Sequence, residues 1–285
     1  MIPAPFEYSR ATSLDDALAK LRATKGAGKF IAGGHSLVPL MKLRLSEPKV
    51  LIDIARIPGL SGIRQTGDTI EIGAGTVHHD VASSALLQQV CQMVAEAAQE
   101  IGDPQVRNRG TLGGSLAHAD PTADYPAVML ALDADIHLKG PDGPRIAKAR
   151  EFFLGLFSVD LSADEIIVGV QFKPVKSAAY AKLHQRASHF AIVGVAAALE
   201  ATNGAIRSAR IGVTGASSHA TRLTEVEEAL AGKELSMHSI EAAARLAGVN
   251  LKDVNSDIHA SEEYRRAMIP VFTERALARA MERAG

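Results

Sequence analysis

Cysteine is almost missing from this 285-residue chain, in which Cys91 stands alone. A single thiol excludes an intrachain disulfide and any iron–sulfur cluster ligated by four cysteines of this chain. An electron path through the protein therefore needs another redox carrier, bound without thiolates or supplied in trans. A surplus of charge is missing too: Lys plus Arg number 31 against 32 Asp plus Glu, a net charge of -1. No basic field exists to hold a phosphate backbone, so nucleic acid is not an expected partner. No stretch nears the roughly 18 uninterrupted apolar residues of a membrane span. Met1 to Glu7 shows neither the basic nor the apolar region of a secretory signal. The expectation is a cytoplasmic protein with no membrane span. Metal motifs are scarce as well. HExxH does not occur, and the adjacent His78-His79 lack the i,i+4 spacing of a helical zinc pair. A solvated helix start is their expected role, and neither a metal ligand nor a catalytic side chain is assigned.

What is present is an ordinary globular balance, 47% hydrophobic and 22% charged, which buries a core without disulfides at a length that suits two domains. Phe6 to Tyr8 reads as extended, and Ser13-Leu14-Asp15-Asp16 resembles a capping box opening a helix to about Leu21. A strand at Lys29 to Ala32, a short helix from Leu37 to Leu45 and a buried strand at Val50 to Ile54 complete a β-α-β-α-β unit over about 1–57. A second unit, 58–176, begins with a hairpin at Gly67-Asp68 and continues with helices at His79 to Leu87 and Val90 to Ala98. A helix from Tyr125 to Leu132, a hairpin around Pro141-Asp142-Gly143 and a strand at Ile166 to Val170 follow. The expected domain boundary lies at Pro174 to Ser177, giving domains 1–176 and 177–285. Beyond it, two apolar runs are joined by Asn203-Gly204, a strong hairpin signal, and helices are expected at Thr224 to Leu230, Ser239 to Ala247 and Ser261 to Ala284.

Two glycine loops carry the chemistry. Ala32-Gly33-Gly34-His35-Ser36 and Thr111-Leu112-Gly113-Gly114-Ser115 are each read as an exit from an apolar strand. Paired glycines let the backbone approach a ligand and let successive N–H groups converge on an anion. A following helix start suits a pyrophosphate, and Ser36 is placed to cap that helix or to bond a phosphate oxygen. One such loop is more often a tight turn than a binding site. Neither G-x-G-x-x-G nor G-x-x-x-x-G-K-[ST] occurs, which leaves out a dinucleotide fingerprint and a P-loop.

Phe30 to Pro39, Thr111 to Leu116 and Asp120-Pro121-Thr122-Ala123-Asp124 together resemble the FAD-binding medium subunits of the xanthine dehydrogenase and carbon monoxide dehydrogenase family of molybdenum hydroxylases. Gly73 to Thr76 and Arg210 to Gly215 extend the likeness over nearly the whole chain. The resemblance implies an α+β protein: a p-cresol-methylhydroxylase-type FAD-binding fold of two α/β sub-parts, then a C-terminal α+β domain. It implies that Lys29, Phe30, Ile31, Ala32, Gly33, Gly34, His35 and Ser36 lie along the FAD pyrophosphate, with Thr111, Leu112, Gly113, Gly114 and Ser115 on the other side. Asp124 would accept a hydrogen bond from the ribose or adenine side, Ile101 would approach the isoalloxazine, and Ile167 and Lys182 would complete the pocket. FAD is expected to be non-covalent, since no residue matches the histidine that some flavoproteins of this fold use for attachment. The molybdenum cofactor and [2Fe–2S] clusters are expected on a large and a small partner subunit, assembled as a dimer of heterotrimers.

Other readings stay open at this level. Asp124 alone reads equally as a helix cap, Ile101 and Ile167 as core, and Lys182 with Arg186 as a solvated face at i,i+4 spacing. A stand-alone FAD oxidoreductase would use His35, His118 or His189 as a base, and a scaffold that had lost its flavin would use neither. One position departs from the family: His189 stands where an acidic residue is common, which leaves the electron acceptor unassigned.

Overall fold

The computed structural model describes residues 2–284, so Met1 and Gly285, which the reading above included, lie outside it. Its first layer is β1 (Glu7–Arg10), α1 (Leu14–Ala23), β2 (Gly28–Ile31), α2 (Leu37–Lys42) and β3 (Val50–Asp53), with parallel strands in the order β1-β3-β2. Ser13 caps α1 by accepting from Asp16 N–H at 3.1 Å. The Asp16 carboxylate answers one residue earlier than in a regular capping box, accepting from Thr12 N–H at 2.8 Å.

The second layer opens with the expected hairpin, β4 (Ile63–Thr66) and β5 (Thr69–Gly73). The two helices expected between His79 and Ala98 form three: α3 (His78–Ala82), α4 (Ala85–Val90) and α5 (Gln92–Gln99). The break has a local cause, because Ser84 leaves the helix to cap α4, accepting from Leu87 N–H, and Cys91 is non-helical between α4 and α5, at φ −163° and ψ 76°. There follow α6 (Pro104–Arg107), α7 (Leu112–His118), α8 (Asp124–Ala131), β6 (Asp135–Gly140), β7 (Gly143–Lys148), α9 (Ala149–Phe152), β8 (Phe153–Gly155), β9 (Ser158–Val159) and β10 (Ile166–Phe172). The last strand slots between β5 and β6, antiparallel to both, in a sheet of order β4-β5-β10-β6-β7.

The third part is a meander, β11 (Ala178–His184), β12 (Ala191–Thr202), β13 (Ala205–Thr214) and β14 (Thr221–Arg222), followed by α10 (Thr224–Leu230), α11 (Met237–Ala244) and α12 (Glu262–Glu282). Its first two strands, β11 and β12, carry small apolar residues on both faces, and strand alternation sorts them between two cores. Ala178, Tyr180, Ala196 and Ala198 join the core of the first 170 or so residues, beneath α8. Ala179, Ala181, Val193, Val195 and Ala197 join a second core under α10, α11 and α12. The C-terminal sheet is thus a wall of the N-terminal core as well as the floor of its own. Among the described residues no helix is long and apolar enough to cross a membrane.

Candidate functional site

The first glycine loop leaves β2 where its ladder with β3 ends, at Ile31 opposite Asp53. A Cβ on Gly33 would lie 2.2 Å from the Arg109 carbonyl oxygen, so the absent side chain is what lets this loop touch the segment leading into the second one. Gly34 takes φ +77°, in the left-handed region. The backbone N–H groups of Gly33, Gly34, His35 and Ser36 find no acceptor among the described residues, while Gly34 C=O already accepts from Val38 N–H at 2.9 Å. Four successive unpaired donors are the kind of row that can receive an anion. The cap expected of Ser36 is not made: it occupies the N-cap position of α2 without a side-chain bond, its backbone near helical at φ −102°. Its hydroxyl is consequently free. His35 reaches the other way, its Nε2 3.2 Å from Gln105 O.

The second loop differs from its expectation. It does not leave an apolar strand; short α6 precedes it, and Thr111 to Ser115 is the capped first turn of α7. From Leu112 on, its donors are already used. Leu112 N–H donates to Thr76 O at 3.0 Å, Gly113 N–H to Ala74 O at 2.8 Å, Gly114 N–H to Thr111 Oγ1 at 3.1 Å and Ser115 N–H to Thr111 O at 3.0 Å. Gly114 is exposed and Ser115 half-buried, so this loop offers a flat backbone face and a hydroxyl rather than a row of N–H groups. Ala74 N–H in turn bonds Val168 O at 3.0 Å, which ties the loop to β10 beside the buried Ile167. His78, expected at a solvated helix start, is buried behind the loop at 4% exposure, its ring 5.4 Å from that of Tyr125. Burial, then the neighbouring His35 and Arg107, push its imidazole down to about 4, so it is neutral. His79, next in the chain, is exposed.

A second cluster gathers Ile101, Asp124 and Lys182. Lys182 is not on a solvated face: it sits on β11, and its Nζ lies 2.7 Å from Asp124 Oδ1 with the two side chains only 1% and 5% exposed. The same ammonium donates to the carbonyl of Glu100, beside the half-buried Ile101, at 2.9 Å. Tyr180, which the sequence reading did not single out, donates its hydroxyl to Asp124 Oδ1 at 2.6 Å. Burial pushes the Asp124 carboxyl up, while Lys182 and then Tyr180 pull against that. Asp124 is the first residue of α8 and caps nothing; Ala123 is the N-cap. A buried ion pair is weak evidence of stabilisation, since apolar residues of the same volume often do as well.

The two clusters are joined by 101–110. Arg107 Nη1 donates to the carbonyls of Ile101 and Gly102 at 3.0 and 2.9 Å. Lys29 stands close enough to His118, at the end of α7, to oppose its protonation, although burial is the larger cause of that depression. Cys91 is buried and its thiol pushed up to about 12 by burial, so it is neither nucleophile nor ligand. Two cavities, of 290 and 190 Å³, lie elsewhere, one between α1 and the β6–β7 hairpin and one along α4 and α5. The glycine loops line neither; the first is half-buried to exposed, and the second meets solvent only from Gly114 on. The unpaired donors of the first loop suit a phosphorylated ligand.

Comparison with known proteins agrees with that chemistry. Residues 4–174 match the family model of the FAD binding domain in molybdopterin dehydrogenase, and 178–280 match the CO dehydrogenase flavoprotein C-terminal domain. The chain is 39% identical to the carbon monoxide dehydrogenase medium chain of Hydrogenophaga pseudoflava, over 97% of each chain. It is 35% identical to the nicotine 6-hydroxylase medium subunit of Paenarthrobacter nicotinovorans, over 98% of each. Among solved structures, carbon monoxide dehydrogenase from Hydrogenophaga pseudoflava lacking the Mo-pyranopterin moiety matches with a TM-score of 0.95 at 40% identity, over 100% of both chains. Quinoline 2-oxidoreductase from Pseudomonas putida 86 matches at 0.93 and 30%, over 100% of this chain and 99% of the other.

Proposed function

The chain belongs to the family of FAD-binding medium subunits of molybdenum hydroxylases, and from that premise we propose that it is the electron-transfer subunit of such a complex. It receives electrons from [2Fe–2S] clusters of a small partner subunit, reduced in turn by a large subunit that carries the molybdenum cofactor, and delivers them to an external acceptor. The lone buried Cys91 supports this division of labour, since the clusters need thiolates this chain does not have. FAD, when bound, supplies the redox chemistry; the protein supplies binding, orientation and electrostatics.

In this reading Gly33, Gly34, His35 and Ser36 present their N–H groups to the pyrophosphate, following Lys29 to Ala32 along the edge of β2. Thr111 to Ser115 form the opposing wall, whose packing on Ala74 fixes the width of the cleft. Asp124 accepts a hydrogen bond from a sugar hydroxyl, Lys182 favours the ionised form of that carboxyl against its burial, and Ile101 and Ile167 give the flavin an apolar side. The attachment is non-covalent, the domains are 1–176 and 177–285, and the assembly is a cytoplasmic dimer of heterotrimers. The observation that carries the reading is the row of four unpaired N–H groups held against the second loop through the Gly33–Arg109 contact. The substrate is chosen by the large subunit: relatives of this chain belong to enzymes named for carbon monoxide, nicotine, glyceraldehyde and caffeine.

The test is stopped-flow spectroscopy of the FAD-loaded chain. Flavin reduction on mixing with a reduced [2Fe–2S] partner subunit, and none with small organic substrates alone, is the expected result. Direct reduction by a small substrate without the partner would replace this reading by a stand-alone oxidoreductase.

A further inference from the structure

Tyr180 is buried and donates its hydroxyl to Asp124, a proposed cofactor contact. Its backbone is pinned from two sides: its N–H donates to Glu96 Oε2 on α5 at 3.2 Å, and its carbonyl accepts from Arg279 Nη1 on α12 at 3.2 Å. Its side chain leaves β11 on the face that also carries Lys182 and crosses the neighbouring strand diagonally toward α8. The crossing depends on Gly194, which pairs with Lys182 across the ladder; a Cβ there would lie 2.2 Å from the Tyr180 hydroxyl.

Both donors land on one oxygen. The Tyr180 hydroxyl and the Lys182 ammonium meet Asp124 Oδ1 at 2.6 and 2.7 Å, whereas Oδ2 has no donor among the described residues. The Asp124 side chain is nearly buried, at 5% exposure, so an unmatched Oδ2 is an acceptor that awaits a donor. Lys182 alone would satisfy the charge while leaving the carboxyl free to rotate. Two donors at fixed angles on Oδ1 leave the other oxygen a single direction.

We propose that Tyr180 is a positioning residue for the cofactor: by binding Oδ1 of Asp124 beside Lys182, it turns Oδ2 outward to accept a hydrogen bond from a sugar hydroxyl of FAD. The proposal rests on reading Asp124 as an FAD contact. It also carries a pH signature. The groups facing Asp124 are Lys182 and Tyr180 from β11, Glu100 after α5 and Tyr125 on its own helix. Burial favours the protonated carboxyl, and the Tyr180 hydrogen bond is one of the forces holding it ionised.

The experiment is FAD titration of the full-length apoprotein, read by flavin fluorescence across pH, for wild type, Tyr180→Phe, Asp124→Asn and the double variant. Tyr180→Phe is expected to weaken FAD binding by roughly tenfold, about the worth of one hydrogen bond to a charged group. The acid limb of its binding profile should move to higher pH, because the carboxyl protonates more readily. The bond exists without FAD, so the apoprotein should also melt somewhat lower, and it is the pH shift and its dependence on Asp124 that separate positioning from a merely structural role. In the Asp124→Asn background the same change should cost little more. If Asp124→Asn weakens binding but Tyr180→Phe leaves affinity and pH profile unchanged, Asp124 remains a contact and Tyr180 does not position it. Equal losses from Tyr180→Phe in both backgrounds would also overturn the proposal, since the effect would not pass through Asp124. If Asp124→Asn itself leaves binding unchanged, the underlying reading of Asp124 fails and the proposal with it.

Discussion

The two glycine loops are spelled almost alike and built in opposite ways. At Gly33 to Ser36 the chain has left a strand, the next helix is short and uncapped, and four N–H groups remain unpaired. At Thr111 to Ser115 the chain is already inside a capped helix whose N–H groups are bonded to Thr76, Ala74 and Thr111. The first loop keeps its donors for a ligand; the second spends them on holding its own place. A pair of glycines in sequence therefore reports a close approach of backbone, and only the surrounding hydrogen bonds say whether ligand or protein is what comes close.

The largest expected break in this comparison comes from closing the gap between the loops. Gly33→Val places a branched side chain where the Arg109 carbonyl stands. It should weaken FAD binding by roughly 100-fold, the cost of forcing two backbones apart, as measured by flavin fluorescence. A wild-type affinity would mean that the loops do not act together.

Acid should next separate the loops, because only the second rests on a buried neutral histidine. The unfolded chain binds a proton at His78 below its ordinary 6.5, whereas the folded protein does so only near 4. Between those values the unfolded state binds more protons, so stability falls as pH drops through the window and is insensitive to this group above it. The loss reaches about 3 kcal/mol at the bottom of the window. Urea midpoints against pH should show a shallower acid slope in His78→Leu than in the wild type; parallel slopes would place the titration elsewhere.

Two hydroxyls give the smallest and sharpest contrast. Thr111→Val removes a working helix cap and should lower stability by about 1 kcal/mol. Ser36→Ala removes none, so its melting temperature should match the wild type while FAD binding weakens several-fold. If the two variants exchange these phenotypes, the roles given to the loops are reversed.

Much of the architecture could be read from local signals. Ser13 caps the helix expected of it, the helix expected from Ser261 forms as α12, and Gly67-Asp68, Pro141-Asp142-Gly143 and Asn203-Gly204 turn the expected hairpins. These are effects between residues a few positions apart. What escaped depends on distance along the chain. The Tyr180 to Asp124 bond spans 56 positions, and an Ala-Ala-Tyr-Ala strand gives no hint of it. His78 looks polar in any local window and is buried because α8 brings Tyr125 against it. The spacing of Lys182 and Arg186 invited a helical face, but β11 has period two and sends Lys182 into the interior. The donors of the second loop are taken by Ala74 and Thr76, on a segment about forty residues earlier, which no reading of Thr111 to Ser115 alone could supply.

Hydrogen–deuterium exchange of the apoprotein with and without saturating FAD tests the contrast between the loops most directly. Strong slowing at Gly33, Gly34, His35 and Ser36, with Gly113 and Gly114 already slow before FAD is added and little changed after, is the predicted result. Unchanged exchange at the first loop, or new protection confined to the second, would contradict the assignment of the first loop as the seat of the cofactor's phosphates.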